Sequence, residues 1–438
     1  MPIEQLFSAG ANSVETALLD HEVTAGPAVK IPNSSAACLR QTQCPACGHC
    51  VAGPFYNGGE KPLAMIAWPG SAAEAAQLPK LPLDYVSCLD CGHIYNAAFS
   101  YDAVPYVSKP NLMYNRGLIW NGFLQQLRAK VLGFLPENAT VIEIGHGDGH
   151  FLAGLASERP GGRYIGFDPH GLKDVPHPSV ELRATLFDPF VHVPELRPDL
   201  IVSRHVLEHL TNPLGLLQGI DTSAGWCQKP IRLLLEVPCV DRAVEHRRLN
   251  DFYYEHFSQF TTKSFHRMLV KAHLEVDGLE HAYNGEVVYA FPATSQRLDH
   301  LLRFDSAVRF QNDAKKSSAN VARQIDQLHA CGRRVAIWGG VGKCAAFLNT
   351  YGLDARRFPL VVDSDSGKAG TYVPGTGQEI QHCSVLLEKK VDTILIAAQW
   401  RSRDIAREIS SMNLNCEILL EHDGKLVHYQ SGAHPYRQ

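Results

Sequence analysis

Between residues 139 and 293 the chain alternates short apolar runs with stretches whose apolar residues recur at helical spacing. The runs "TVIEIG", "RYIGFD", "PDLIVS", "RLLLEV" and "EVVYAF" have strand length. This alternation predicts a parallel sheet with crossover helices and a ligand at the carboxyl ends of the strands. Ahead of it, residues 112–135, "LMYNRGLIWNGFLQQLRAKVLGFL", predict a connecting helix. Behind it, residues 296–330 predict one or two helices through Leu301, Leu302, Val308, Val321, Ile325 and Leu328. A second alternation, "RVAIWG", "PLVVDSD" and "DTILIAA", predicts a smaller α/β domain at the end of the chain. Residues 1 to about 40 are mixed and rich in Ala, Ser and Pro, which suits an extension. Residues 44–91 carry many Gly and Pro with little periodicity, which suits a small loop-rich module.

Composition narrows the function classes. At 438 residues, 45% apolar and 20% charged, the chain is long enough for two or three hydrophobic cores. A formal net charge of -4 gives little support to binding nucleic acid through its phosphates. The first residues have early acidic groups and no basic stretch followed by an apolar one, and no segment reaches the length of a bilayer span. A cytoplasmic protein that avoids membranes and acts on a small molecule is the expectation.

Twelve cysteines in such a chain point to metal ligation or free thiols rather than disulfides. Four fall in "CPACGH" and "CLDCGH", giving Cys44, Cys47, Cys88 and Cys91. Two-residue spacing lets both thiolates of a pair reach one ion, and two pairs complete a closed tetrahedral zinc site. With every position filled by sulfur, one such zinc is structural. The other eight cysteines are scattered and read for the most part as small buried residues.

"TVIEIGHGDGHF" sets Glu143 two residues before Gly145, with Gly147 and Gly149 following, where a strand hands over to a helix. Glycine lets the backbone approach a ligand closely. A dinucleotide fingerprint would need glycine at position 150, where His150 stands. The pattern ExGxGxG is that of class I methyltransferases using S-adenosylmethionine. Glu143, Gly145, His146 and Gly147 are the loop candidates for the cofactor. Asp168, ending the next strand, suits the ribose hydroxyls, and Phe187 or Asp188 the adenine. "PDLIVSRHVLEHL" brings Arg204 and His205 to the cofactor mouth. His205 and His209, four apart, share a face if the segment is helical, and a metal there would need a third ligand. Glu208 and His209 could equally form a solvated face.

"DFYYEHFSQF", residues 251–260, crowds a phenol, a carboxylate and an imidazole among aromatic residues. Buried ionisable groups need partners or a task. Over residues 44–438 the order of parts resembles the zinc-containing sugar C-methyltransferases that act on nucleotide-linked keto-deoxysugars. The likeness rests on both CxxC pairs, "EIGHGDG", "HVLEHL", "YYEHFSQFT", "AIWGGVGKCAAFLN" and "DSDSGKAGTYVPGTGQEI". It implies an α/β protein in three parts: an arm and zinc-binding module over 1–105, a class I (Rossmann-like) methyltransferase domain over 106–295, and a smaller Rossmann-like substrate or cap domain over 296–438. The family's Tyr-x-Glu-His motif falls on Tyr253, Glu255 and His256, and its histidine after the fourth strand on His209. These imply His256 as the base that forms an enolate, Glu255 fixing its tautomer or sharing the role, and Tyr253 or His209 donating to the enolate oxygen. The chain departs from the family at "KPLAMIAWPG" and "YNGEVVYAF", both expected to face substrate.

In the last domain "WGGVGKC" resembles an anion-binding loop at a helix N-terminus, with Lys343 at hand and Asp363 ending the next strand. It would hold the diphosphate tail of a nucleotide-linked substrate or serve as a structural cap. Rival readings are an O- or N-methyltransferase, an NAD-dependent oxidoreductase and a non-catalytic nucleotide-binding protein.

Overall fold

The computed structural model describes residues 38–65, 69–104, 117–171, 177–295 and 299–437, His300 by its backbone alone. The extension expected over 1 to about 40 lies outside these except for 38–40, as do the first residues of the helix expected over 112–135 and Ile66, Ala67 and Trp68 of "KPLAMIAWPG". The chain divides into two compact units, Met1–Arg297 and Leu298–Gln438.

The first unit opens with β1 (Arg40–Gln41), β2 (Val51–Pro62), α1 (Ala72–Ala76), β3 (Lys80–Cys88) and β4 (Ile94–Asn96), the strands antiparallel. The stretch expected to be loop-rich is therefore largely a long hairpin. Its alternation is hidden because the β2–β3 register shifts at Pro54/Tyr56 and again at Asn57/Gly59, and each extra residue reverses which face follows.

Helix α2 (Leu118–Phe134) buries Trp120, Phe123, Leu124, Leu127 and Val131, the i, i+3, i+4 stripe of an amphipathic helix. A seven-stranded sheet follows: β5 (Thr140–Ile144), α3 (His150–Glu158), β6 (Arg163–Phe167), β7 (Val180–Arg183), α4 (Pro189–Leu196), β8 (Leu200–Arg204), α5 (Pro213–Cys227) and β9 (Arg232–Pro238). Then come α6 (Asp241–Glu245), β10 (Ser258–Gln259), α7 (Thr262–Lys271), β11 (Glu280–Ala282) and β12 (Val287–Ala290). The sheet order is β11-β12-β9-β8-β5-β6-β7. The five strands from β7 to β9 are parallel, β12 runs antiparallel to β9, and β11, antiparallel to β12, resumes the direction of the five. "EVVYAF" thus departs from the parallel expectation, because the short turn Tyr283–Gly285 joins it to β11 and short links join only antiparallel neighbours. The chain winds from β5 out to β7 and returns to β8, so a crevice opens at the carboxyl ends of β5 and β8.

Strand β10 belongs to the other sheet, where it pairs with β4. Cys44, Cys47, Cys88 and Cys91 also share one core with Ile142, Phe167, Leu235 and Phe260. The cysteine segment and the large sheet are consequently one packed body across the boundary expected at 105/106. Each fully buried aliphatic side chain in that core contributes roughly 1.5–3 kcal/mol.

The second unit is α8 (Asp299–Ala330), β13 (Val335–Trp338), α9 (Lys343–Tyr351), β14 (Leu360–Asp363), β15 (Ile380–His382), β16 (Thr393–Ile396), α10 (Ser402–Ser411), β17 (Glu417–His422) and β18 (Lys425–His428). Its sheet, β15-β14-β13-β16-β17-β18, is parallel except for β18. Gly339 after β13 adopts φ 105°, and a Cβ there would meet Cys344 Sγ at 2.5 Å. The ammonium of Lys343 lies 5.0 Å from the Trp400 ring centre, and Asp363 accepts from Lys368 Nζ at 3.0 and 3.1 Å. Among the described residues no helix is long and apolar enough to cross a membrane.

Candidate active site

A cavity of about 720 Å³ opens at the carboxyl ends of β5, β8 and β9. One side of it is the glycine loop. Gly145, Gly147 and Gly149 all have positive φ, and a Cβ on Gly145 would lie 2.3 Å from Val206 Cγ2. A side chain is therefore excluded at Gly145 by both backbone and space. Glu143, Gly145, His146, Gly147 and Arg204 line the cavity. The wall does not include Asp168, Phe187 or Asp188. Asp168 accepts from the Gly147 and His170 amides at 3.1 and 2.8 Å and so braces the loop from behind. Asp188 caps α4 by accepting from Phe190 N, and Phe187 packs edge-on to Phe167. The His146 ring lies against Gly166 and Gly171, where a Cβ would come within 2.7 and 2.4 Å of it.

Beneath the loop lies a buried charge network. Glu236 is the one ionisable residue among the buried leucines and valine of β9, and it is fully buried. Arg204 donates to it twice, Nη2 to Oε1 at 2.9 Å and Nε to Oε2 at 3.1 Å. The guanidinium also stands 4.7 Å from the Phe151 ring centre. Arg204 thus reaches the expected mouth, but its charge is engaged by Glu236. His205, at φ 53°, has Nε2 2.9 Å from Glu236 Oε1, off the hydrogen-bonding direction and so an ionic contact.

Burial raises the Glu236 carboxyl, but Arg204 and His205 outweigh it and bring its pKa down to about 2. Burial lowers His205, yet Glu208 and Glu236 lift it to about 9. Glu143 has weaker compensation: burial pushes it up to about 8, against a lowering influence from Arg204. It therefore stays largely protonated at neutral pH, and its Oε2 has no hydrogen-bond partner.

The opposite side combines β8's exit with residues 251–257. Leu207–His209 is a single 3₁₀ turn starting after His205, so His205 and His209 do not share a helical face as expected. Glu208 and His209 are buried, which removes the solvated-face reading. His209 Nδ1 donates to the Glu255 carbonyl at 2.8 Å when it carries the proton. His256 Nε2 lies 2.8 Å from Tyr253 Oη, and the His209 and His256 rings meet edge to face at 4.9 Å. Burial and His209 lower His256 to about 3, so its imidazole is neutral at pH 7. Burial also raises the Tyr253 phenol above its ordinary value.

Glu255 is placed differently from the expectation. Its Oε1 accepts from Met65 N at 2.6 Å, while Tyr253 holds the His256 ring. Residues 251–257 form turns, so consecutive side chains diverge: Phe252 and Tyr254 pack with Leu83, Tyr85 and Ile94, while Tyr253 and His256 face the cavity. Sequence reasoning missed Trp120, Glu236 and Gln259 in or beside the wall. A charged residue inside "RLLLEVP" was an available signal for Glu236; none marked Trp120 or Gln259.

The four cysteine sulfurs gather away from this cavity. Cys44 Sγ is 3.6 Å from Cys91 Sγ, Cys47 Sγ is 3.6 Å from Cys88 Sγ, and all lie within 4.8 Å of one another. Thiolates about 2.3 Å from a tetrahedral zinc would stand about 3.8 Å apart, so the donor set fits that ion. His93 follows the second pair, buried between Ser258 Oγ at 3.1 Å and Ser264 Oγ at 3.3 Å.

Two family models match the chain. One, described as a methyltransferase domain, covers residues 116–279, and the other, a C-methyltransferase C-terminal domain, covers 291–427. No curated protein matches. Similar solved structures include an S-adenosylmethionine-dependent methyltransferase from Aquifex aeolicus, 14% identical over 40% of this chain and 97% of that one, TM-score 0.31. A second is the magnesium protoporphyrin IX methyltransferase of Synechocystis with bound S-adenosylhomocysteine, 13% identical over 40% and 82%, TM-score 0.31. A third is the N,N-8-amino-8-demethyl-D-riboflavin dimethyltransferase of Streptomyces davawensis, 22% identical over 40% and 55%, TM-score 0.31. With a methyltransferase domain followed by a C-methyltransferase C-terminal domain on a doubly wound α/β framework, this chain is an S-adenosylmethionine-dependent methyltransferase.

Proposed function

We propose that the enzyme methylates carbon beside a carbonyl, through an enolate, on a nucleotide-linked keto-sugar or a similar small acceptor. The observation that carries this reading is the convergence of Tyr253, His256 and His209 in the cavity that begins at the glycine loop. A carbon acid needs a base beside its α-proton and a donor beside its carbonyl oxygen. A heteroatom acceptor needs less.

In this reading His256, neutral at working pH, takes the α-proton. A base of such low affinity becomes effective only as the enolate forms, when the imidazolium gains a counter-charge. Glu208 already favours protonated His256 electrostatically. Tyr253 or His209 donates to the developing oxyanion. Glu143, Gly145, His146, Gly147 and Arg204 form the cofactor wall, with Asp168, Phe187 and Asp188 supporting it. S-adenosylmethionine supplies the electrophilic methyl, and the protein's contribution to that transfer is alignment and exclusion of water. Glu255 serves by fixing the chain at Met65 and orienting His209 through its carbonyl. The Cys44, Cys47, Cys88 and Cys91 cluster holds one structural zinc and takes no part in the chemistry.

The test is turnover of a nucleotide-linked keto-deoxysugar with carbon-13 methyl-labelled donor. A product methyl resonance in the aliphatic C-methyl region is expected. A resonance at the downfield position of O- or N-methyl groups overturns the carbon assignment.

A further inference from the structure

The side chains of Glu208, His209 and His256 bring one carboxylate oxygen and two imidazole nitrogens within 4.8 Å of one another. All three are buried, and all three line the cavity. The carboxylate is only 1% exposed, yet neither of its oxygens has a hydrogen-bond partner. Its nearest basic nitrogens are His205 Nδ1 at 3.5 Å and His209 Nε2 at 4.0 Å. An ionised carboxylate withdrawn from water and left without a donor is costly. The His209 ring is held through Nδ1 by the Glu255 carbonyl, and its Nε2 lies 4.0 Å from Glu208 Oε1. A ligating histidine is held in this manner, its second nitrogen on a carbonyl or carboxylate.

We propose that Glu208, His209 and His256 form a binding site for a divalent transition-metal cation, distinct from the four-cysteine cluster, whose occupation blocks methyl transfer. Two imidazoles and one carboxylate suit zinc, cobalt(II) or nickel(II) and leave positions for water or a substrate oxygen. Ligands at about 2.0–2.2 Å from a metal stand roughly 3–3.5 Å apart, so small side-chain rotations close the site. The cation takes the lone pair that His256 would offer to the α-proton. Binding stands on the geometry alone, whereas inhibition rests on the reading of His256 as the base.

The test is a cobalt(II) titration of the full-length enzyme carrying its one zinc in the cysteine cluster. One further cobalt per chain is expected, with visible ligand-field bands and without sulfur-to-cobalt charge transfer. Glu208→Gln and His256→Ala should each lose saturable binding, with S-adenosylhomocysteine affinity verifying that each variant is folded. No second cobalt in the wild type overturns the site, as does binding that survives in every folded variant. Sulfur charge transfer overturns it too, by assigning the cobalt to the cysteines. Transfer to a nucleotide-linked keto-deoxysugar should fall at least tenfold when the second cobalt is bound. Saturable binding with undiminished turnover would uphold the cation site and remove His256 as the base.

Discussion

The phenolic oxygen of Tyr253 lies 2.8 Å from Nε2 of His256, and a turn rather than a helix brings the two together. The neutral imidazole is held by a neighbour that can both donate and accept. Removing each partner should therefore have unequal effects. His256→Ala is expected to lower methyl transfer by roughly 10² to 10⁴, the span of general-base catalysis. S-adenosylhomocysteine binding should be retained. Tyr253→Phe should cost about tenfold where the phenol only holds His256, and about 10² to 10³ where it is the donor to the oxyanion. Steady-state kinetics with a keto-sugar acceptor measures both, and an undiminished rate in His256→Ala would exclude it from proton transfer.

Glu236 compensates two cationic side chains beside the cavity, Arg204 and His205. Glu236→Ala leaves Arg204 buried without its counter-ion, a change that costs about 3–5 kcal/mol when one partner of a buried pair is lost. Denaturant unfolding should show that loss, and Arg204→Met combined with Glu236→Leu should recover part of it. A cost below about 1 kcal/mol would show that water already reaches the pair.

The strands of both sheets could be read in the sequence because buried parallel strands are apolar on successive residues, as in "TVIEI" and "RLLLEV". The cysteine cluster was legible for another reason: ligand spacing is local. The β2–β3 hairpin was not, since two register shifts erase its alternation. Residues 251–257 were half legible. Residue types gave Tyr253 and His256, but the direction of Glu255 depends on Met65, 190 residues away in the chain. The same holds for Asp168: the spacing placed it beside the loop, and only the fold shows its oxygens on the Gly147 and His170 amides.

Glu143 gives a pH test. Its ordinary carboxyl value of 4.5 rises to about 8 on burial, so between these limits the folded chain holds a proton that the unfolded chain has released. Stability must then fall as pH rises through that window. Glu143→Gln abolishes this contribution. The variant should gain stability relative to the wild type from pH 5 to 8, at no more than about 1.4 kcal/mol per pH unit. Unfolding curves at several pH values measure the difference, which also cancels opposing contributions from buried histidines such as His93 and His256. A difference independent of pH would mean that Glu143 is ionised throughout.

Loss of the four-sulfur centre should be felt beyond the hairpin. His93 sits two residues after Cys91 and contacts Ser258 and Ser264, while β10 pairs directly with β4. Ser258 in turn lies two residues from His256. Cys88→Ser removes one thiolate from a donor set that needs four, so zinc content should fall well below one per chain. The sulfurs also belong to the core shared with Phe260 and Phe265, so the damage should follow that core. Hydrogen exchange should accelerate in β2–β4 and across residues 256–265, whereas α9 and β13 in the second unit should keep their protection. Methyl transfer should drop with the exchange at 256–265, even though none of Cys44, Cys47, Cys88 and Cys91 lines the cavity. Full zinc content in Cys88→Ser would refute the four-sulfur assignment, and unchanged protection at 256–265 would show that His93 does not couple the centre to His256.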